Sequence, residues 1–254
     1  MTSPQSSEVS RELFLFAPRG GELTPIEIKS DKAELFSEDY LKDNYPLAWN
    51  YLNTFKDSLL KRNINGTKDP KWYQYGRSQS LTKFHNTAKL IWPVLSTSPS
   101  YVYDVLNLQF TGGGNGPYYS LICNSSYSPL YILGILSHPL FEKMVKSGAS
   151  EFRGDYYSHG KQFIENLPIH QIDFADTSQA QKHDEIVKIV SQYISTKHQY
   201  NQTYLGAKKR VLERKMEYLF EKLVTSINQI YGITAEEMNK VMNDETFLTD
   251  LNEN

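Results

Sequence analysis

The stretch KLIWPVLSTSPSYVYDVLNLQF, residues 89–110, decides the fold class. Two apolar runs, KLIWPVLS and YVYDVLNLQF, are rich in β-branched and aromatic side chains and are parted by Ser and Pro. Short apolar runs bounded by turn residues read as strands. A Gly-rich loop, TGGGNGPYYS at 111–120, leads into a third such run, YYSLICN at 118–124. The middle of the chain therefore reads as sheet.

Helical signals surround it. Upstream, LFLFAPRGGELTPIEIKS at 13–30 reads as two short strands around a turn at Pro18 to Gly21. Ser37 is an N-cap candidate, and Trp49, Leu52, Phe55, Leu59 and Leu60 recur at helical spacing. Pro46 interrupts that pattern, so a short turn followed by a helix from Pro46 to Arg62 is expected. Downstream, SPLYILGILSHPLFEKMVK at 128–146 reads as one short helix packed on the sheet. EFRGDYYSHGKQFIENLPI at 151–169 reads as irregular and ending in a strand. In the tail, Ile186, Val187, Val190, Tyr193 and Ile194 make one apolar stripe. Leu212, Met216, Leu219, Phe220, Leu223, Ile227 and Ile230 make a second. Gly232 ends that helix, and Thr234 with Glu237 forms a capping box for a short third one. The expectation is an α/β (α+β) fold: a twisted mixed sheet with flanking helices, then a C-terminal helical hairpin.

Charge is unevenly spread. The 254 residues carry a net −2. Residues 61–161 hold 11 basic and 5 acidic side chains, whereas residues 1–60 carry net −4 and residues 223–254 net −5. A local basic patch can supply the phosphate contacts that dominate DNA affinity, whatever the total charge. The 18 tyrosines offer large amphipathic contact area, suited to binding surfaces or to sheet packing. A single cysteine, Cys123, excludes an intramolecular disulfide and a cysteine-based zinc site. The longest apolar run, Leu130 to Phe141, falls short of the roughly 20 residues a membrane span needs. No basic and apolar leader opens the chain, so a cytoplasmic protein with no membrane partner is expected.

The densest binding-type segment is KDPKWYQYGRSQSL at 68–81. Lys71, Trp72, Tyr73, Tyr75, Arg77 and Ser78 bring donors, cations and stacking faces within eight residues. Arg can grip guanine O6 and N7, while Lys and Ser hold phosphates. The plain alternative is a strand with core aromatics on one face. Other motifs fall away on chemistry. Gly112 to Gly116 lacks the Gly-Lys-Ser/Thr end of a phosphate loop, and reads as a hairpin loop. Asn124 to Tyr127 has the ends of an Asn-Pro-Pro-Tyr methyltransferase signature without its prolines, and reads as a turn. Glu27 and Lys29 form a nuclease-like pair with no suitable upstream acid. The six histidines show no metal spacing and read as surface or satisfied side chains. Lys208, Lys209, Arg210, Arg214 and Lys215 ring a helix, by default a solvated face. No catalytic residue, metal or cofactor is expected.

The order of segments resembles the TaqI-like C-terminal specificity domain, the target-recognition part of adenine-specific DNA methyltransferases. The landmarks are YPLAWNYLNTFKDSLLKR at 45–62, WYQYGRSQ at 72–79, KLIWPVLS at 89–96, YILGILSHPLF at 131–141, LPIHQID at 167–173 and INQIYGITAEEM at 227–238. Such domains are similar to the DNA-reading halves of type I restriction specificity subunits. The resemblance implies a domain that binds double-stranded DNA and hands the adenine to a neighbouring methyltransferase. By that match Trp72, Tyr73, Arg77 and Lys89 are candidate DNA contacts, with Lys71, Lys83 and Asn115 as additions. The implied division is a loose N-terminus (1–12), a target-recognition domain (13–175) and a helical region (176–254) that packs on it or on a partner. Catalysis would come from a methyltransferase or a restriction or motor subunit. Rival readings are a protein-interaction subunit built on the helical hairpin, or half of a split methyltransferase or nuclease.

Overall fold

The computed structural model describes residues 12–16, 23–29, 32–64, 69–74, 76, 87–104, 108, 117–123 and 127–243, with side chains from residue 34 onward. Its internal contacts form two units, Met1–Thr87 with Val105–Pro117, and Ala88–Asp104 with Tyr118–Asn254. The helical tail shares a unit with the strands at 89–104.

In the first unit, β1 (Glu12–Phe16), β2 (Leu23–Lys29) and β3 (Lys32–Leu35) form an antiparallel sheet in chain order. The two expected strands are present, and β3 adds one the sequence pattern did not announce. Helix α1 (Glu38–Asn44) starts where Ser37 Oγ accepts the Tyr40 amide at 3.2 Å, with Glu38 and Asp39 favouring the positive end of its dipole. Pro46 then opens α2 (Pro46–Thr54), and α3 (Lys56–Leu60) follows. The helix expected to run unbroken from Pro46 therefore breaks at Phe55 (φ −106°, ψ 10°). Just before the break, Thr54 Oγ1 donates back to the Asn50 carbonyl, a local bond that competes with helix continuation. Phe36, Leu41, Leu52, Trp72 and Tyr73 form this unit's core.

In the second unit, β4 (Lys89–Pro93) is the central strand of a sheet ordered β6-β4-β7, with β6 (Val102–Asp104) and β7 (Tyr118–Ile122) antiparallel on either side. Immediately after Pro93, β5 (Leu95–Ser96) joins a different sheet, ordered β5-β9-β8, with β8 (Glu151–Phe152) and β9 (Tyr156–Ser158). The fold class is the expected one, sheets with flanking helices and a helical C-terminus. Among the described residues the strands make three small antiparallel sheets.

The run expected as one helix is two, α4 (Pro129–Leu136) and α5 (Pro139–Gly148). Pro139 has no amide hydrogen to continue a helix and suits the first turn of a new one. α4 buries Tyr131 to Leu136 on every side, so it lies inside the unit. The segment at 151–169 corrects the sequence expectation: it holds a hairpin and then a helical turn, α6 (Lys161–Ile164), where a closing strand was expected. The long helices α7 (Thr177–Gln202) and α8 (Gly206–Tyr231) follow the predicted stripes. Ile186 and Val190 are buried on one, Leu212, Met216, Leu219, Leu223 and Ile227 on the other. Gly232 ends α8 in the left-handed conformation (φ 68°). Thr234 Oγ1 accepts the Glu237 amide while the Glu237 carboxylate accepts from the Thr234 amide, opening α9 (Ala235–Asn243). Where α4 meets α7 and α8 the backbone approach is close. A Cβ on Gly134 would stand 2.8 Å from Ile186 Cγ2 and 3.3 Å from Leu223 Cδ1. No helix among the described residues is long and apolar enough to cross a membrane.

Candidate functional site

Three of the expected DNA contacts have inward positions. Trp72 and Tyr73 sit in a turn, both buried. The Trp72 indole packs edge-on to Trp49 at 5.2 Å and donates to Glu38 Oε1, while the Tyr73 hydroxyl donates to the Phe36 carbonyl at 2.7 Å. Lys89 has no exposed surface and pairs with Asp104 at 2.5 Å across the β4–β6 ladder. The Lys89 charge is thus engaged within the sheet. Lys71 is exposed. Tyr75, Arg77, Ser78, Lys83 and Asn115 lie outside the described residues, as do the whole Gly112–Gly116 loop and residues 124–126 of the Asn124 turn.

The positive middle segment is partly internal for the same reason. Arg62 donates to the carbonyls of Leu59, Trp72 and Gln74, closing α3 and pinning the turn that buries the two aromatics. Lys143 donates to the Val241 carbonyl and Lys146 to that of Thr97, and Lys161 pairs with Glu165. Exposed cations among the described residues of this segment include Lys61, Lys71, Arg153 and the ion-paired Lys161.

Side chains from three of the quoted landmarks meet at one junction. His138 caps α5, its Nδ1 accepting the Leu140 amide, and its Nε2 lies 3.1 Å from Asn228 Oδ1. Since Nδ1 accepts, the ring is neutral with its proton on Nε2, donated to Asn228. Burial drives its pKa down from 6.5 to about 4, and the Asn228 bond offsets this only in part. The Tyr231 hydroxyl accepts the His170 amide and donates to the Pro168 carbonyl, and the Tyr131 hydroxyl donates to the His170 carbonyl. These bonds tie α4, the 167–173 connector and α8 together.

Two charged clusters escaped the sequence pattern. Glu142 on α5 holds His159 at 3.0 Å, and His159 Nδ1 faces the Tyr157 carbonyl at 3.2 Å. Both ring nitrogens thus face acceptors, and the two contacts need two protons between ring and carboxyl. Lys146 Nζ stands 3.4 Å from Glu142 Oε1, near enough to pair in charge but not aligned to hydrogen-bond it. The cluster fastens β9 to α5. The second brings together Ser128, His183 and Asp184, a set of residue types used in nucleophilic catalysis. Here the Ser128 backbone amide donates to His183 Nε2, while the Ser128 hydroxyl caps α4 by accepting the Leu130 amide. The histidine's acceptor is already filled, and the arrangement is a helix-start brace. The described residues hold no group of three or more His, Cys, Asp or Glu that could bind a metal.

Among the described residues, a cleft and a hairpin stand out on the surface of the second unit. A cleft of about 540 Å³ lies among β6, α4, α7 and α8. Its floor is aliphatic (Leu133, Ile189, Leu223) and its rim carries Tyr103, Lys197 and Asn201. The other is the β8–β9 hairpin, where Phe152 and Tyr156 face each other in register, 49% and 46% exposed. Between them Arg153, Gly154 and Asp155 are all exposed.

No family model matches the chain. It is 29% identical over 199 residues to the type II restriction enzyme and methyltransferase RM.Eco57I of Escherichia coli, an alignment covering 76% of this chain and 20% of that enzyme. The chain thus spans about a fifth of that relative's length. This distant kinship links it to restriction–modification proteins.

Proposed function

We propose that the chain is a sequence-specific DNA recognition module of a restriction–modification or related methyltransferase system, with catalysis supplied by a separate domain or subunit. The observation that carries this reading is the 199-residue match to a fifth of a protein named for both restriction and methyltransfer. A segment of that size within an enzyme of two activities suits one module among several, and the resemblance to target-recognition domains favours the recognition module. In this reading the chain approaches double-stranded DNA through exposed cations such as Lys61 and Lys71. Tyr75, Arg77, Ser78, Lys83 and Asn115 stay candidate contacts. Trp72, Tyr73 and Lys89 act through the fold. A methyltransferase or a restriction or motor subunit is the expected partner.

One observation favours a second reading, that of a protein-interaction subunit. The loop joining α7 and α8 exposes Tyr204 at 95% and Leu205 at 70%, large apolar side chains at the tip of a rigid helical hairpin. Salt separates the two. DNA reading through phosphate contacts loses affinity steeply as salt rises, and an apolar helix contact does not.

The test is selection from a random duplex DNA pool by the purified chain, at low and at physiological salt, with sequencing of the bound fraction. An enriched motif supports the reading. Absence of binding at low salt sinks autonomous DNA recognition.

A further inference from the structure

We propose that the tip of the β8–β9 hairpin, Arg153-Gly154-Asp155, reads one G·C base pair in the major groove of duplex DNA. This deepens the DNA-recognition reading and rests on it. The tip's composition points to base edges. Arg153 and Asp155 carry opposite charges two residues apart, so the tip has no net attraction for phosphates. A guanidinium can donate two parallel bonds to guanine O6 and N7, and a carboxylate can accept from the N4 amine of cytosine. The two side chains are complementary to the two halves of one base pair.

Shape agrees with chemistry. A two-stranded β-ribbon fits a major groove about 12 Å wide. Phe152 and Tyr156 form the last cross-strand pair before the tip, and each leaves about half its surface uncovered. Apolar faces placed beside a charged tip suit contact with thymine methyls and sugars at the groove walls. The turn holds two successive residues in the left-handed region, Gly154 at φ 82° and Asp155 at φ 58°. Asp155 is the non-glycine residue with positive φ among those described. A tight hairpin turn demands such residues in succession, and this one fixes the backbone that carries Asp155.

The stem is held rigidly below the tip. The Tyr157 hydroxyl donates to Glu151 at 3.3 Å, and Lys146 Nζ lies 5.0 Å from the Tyr157 ring centre. His159 follows immediately, fixed by Glu142, by the Trp92 indole donating to its carbonyl at 2.8 Å, and by its own amide donating to Val94. A reader fixed before binding loses less entropy on contact. The Glu142–His159–Lys146 cluster is thus a positioning device for the hairpin.

The experiment is the same duplex selection, run in parallel on the unaltered chain, Arg153→Ala and Asp155→Asn, with thermal unfolding of each. Arg153→Ala should cut the preference for guanine at one position of the motif about tenfold or more, the other positions standing. Asp155→Asn should weaken discrimination at that same base pair or its neighbour. Both variants should unfold at nearly the unaltered temperature. An unchanged motif in both variants overturns the hairpin proposal and leaves DNA recognition intact. A uniform loss of affinity for all sequences in a folded variant also overturns it, since that marks a phosphate contact. Absence of any motif from the unaltered chain removes the recognition reading and this inference with it.

Discussion

The junction of α4, the 167–173 connector and α8 differs from the β8–β9 hairpin in one respect above all. At the junction nearly every polar atom is spent on the protein itself, from His138 on Asn228 to Tyr231 on two backbone groups. At the hairpin tip, a charged pair and two half-covered rings face outward. The junction is built from the landmarks that make the chain recognisable; the hairpin lies between two of them, 131–141 and 167–173. The quoted landmarks are spent on packing, and the proposed reader is a stretch without a signature. Substitutions should divide along the same line.

The largest loss is expected from Asp104→Ala. It removes the carboxylate paired with the fully buried Lys89 ammonium and should cost about 3–5 kcal/mol in urea unfolding. The double change to Lys89→Met with Asp104→Leu should recover most of it, because no buried charge remains there. Next, Gly134→Ala should cost about 1–3 kcal/mol, since the new methyl meets Ile186, Val190 and Leu223 across a closely packed helix contact. An unchanged unfolding midpoint would mean that this contact is slack.

The junction should also respond to acid. His138 is neutral in the fold with its pKa lowered to about 4, against an ordinary 6.5. The unfolded chain takes up a proton below 6.5 while the folded chain refuses it until about pH 4. Stability is therefore full above 6.5 and lost as pH falls from there to 4, by an amount on the order of 1–3 kcal/mol. Protonation would also set an N–H on Nδ1 against the Leu140 amide, undoing the cap. His138→Asn, which can still cap α5, should flatten the slope in that window. At the other extreme, Phe152→Ala and Tyr156→Ala should change stability by no more than about 0.5 kcal/mol. A large loss at either would mean that the hairpin belongs to the core after all.

The legible part of this molecule was whatever short-range pattern controls. The α7 and α8 stripes, the Ser37 cap, the Thr234–Glu237 box and the Gly232 stop all depend on residues three or four apart. Residue pairs that depend on register or on tertiary approach were hidden. The resemblance offered Lys89 as a DNA contact, and nothing local shows that Asp104, on another strand, lies opposite it. Glu142 and His159 are 17 residues apart on different elements, with no spacing to betray them. Trp72 and Tyr73 looked like stacking faces, but exposure is decided by what α1 and α2 bring against them. The hairpin at 151–158 read as irregular because its strands are only two and three residues long.

Asp155 has one more consequence. Holding a carboxylate-bearing residue at φ 58° is less comfortable than holding a glycine there. Asp155→Gly should therefore make the protein slightly more stable, by a few tenths of a kcal/mol to about 1. If the same change blurs the motif the chain selects, the position is a trade-off: selection has tolerated a weaker turn to keep a sharper reader. Stability screens alone would then count the loss of discrimination as an improvement.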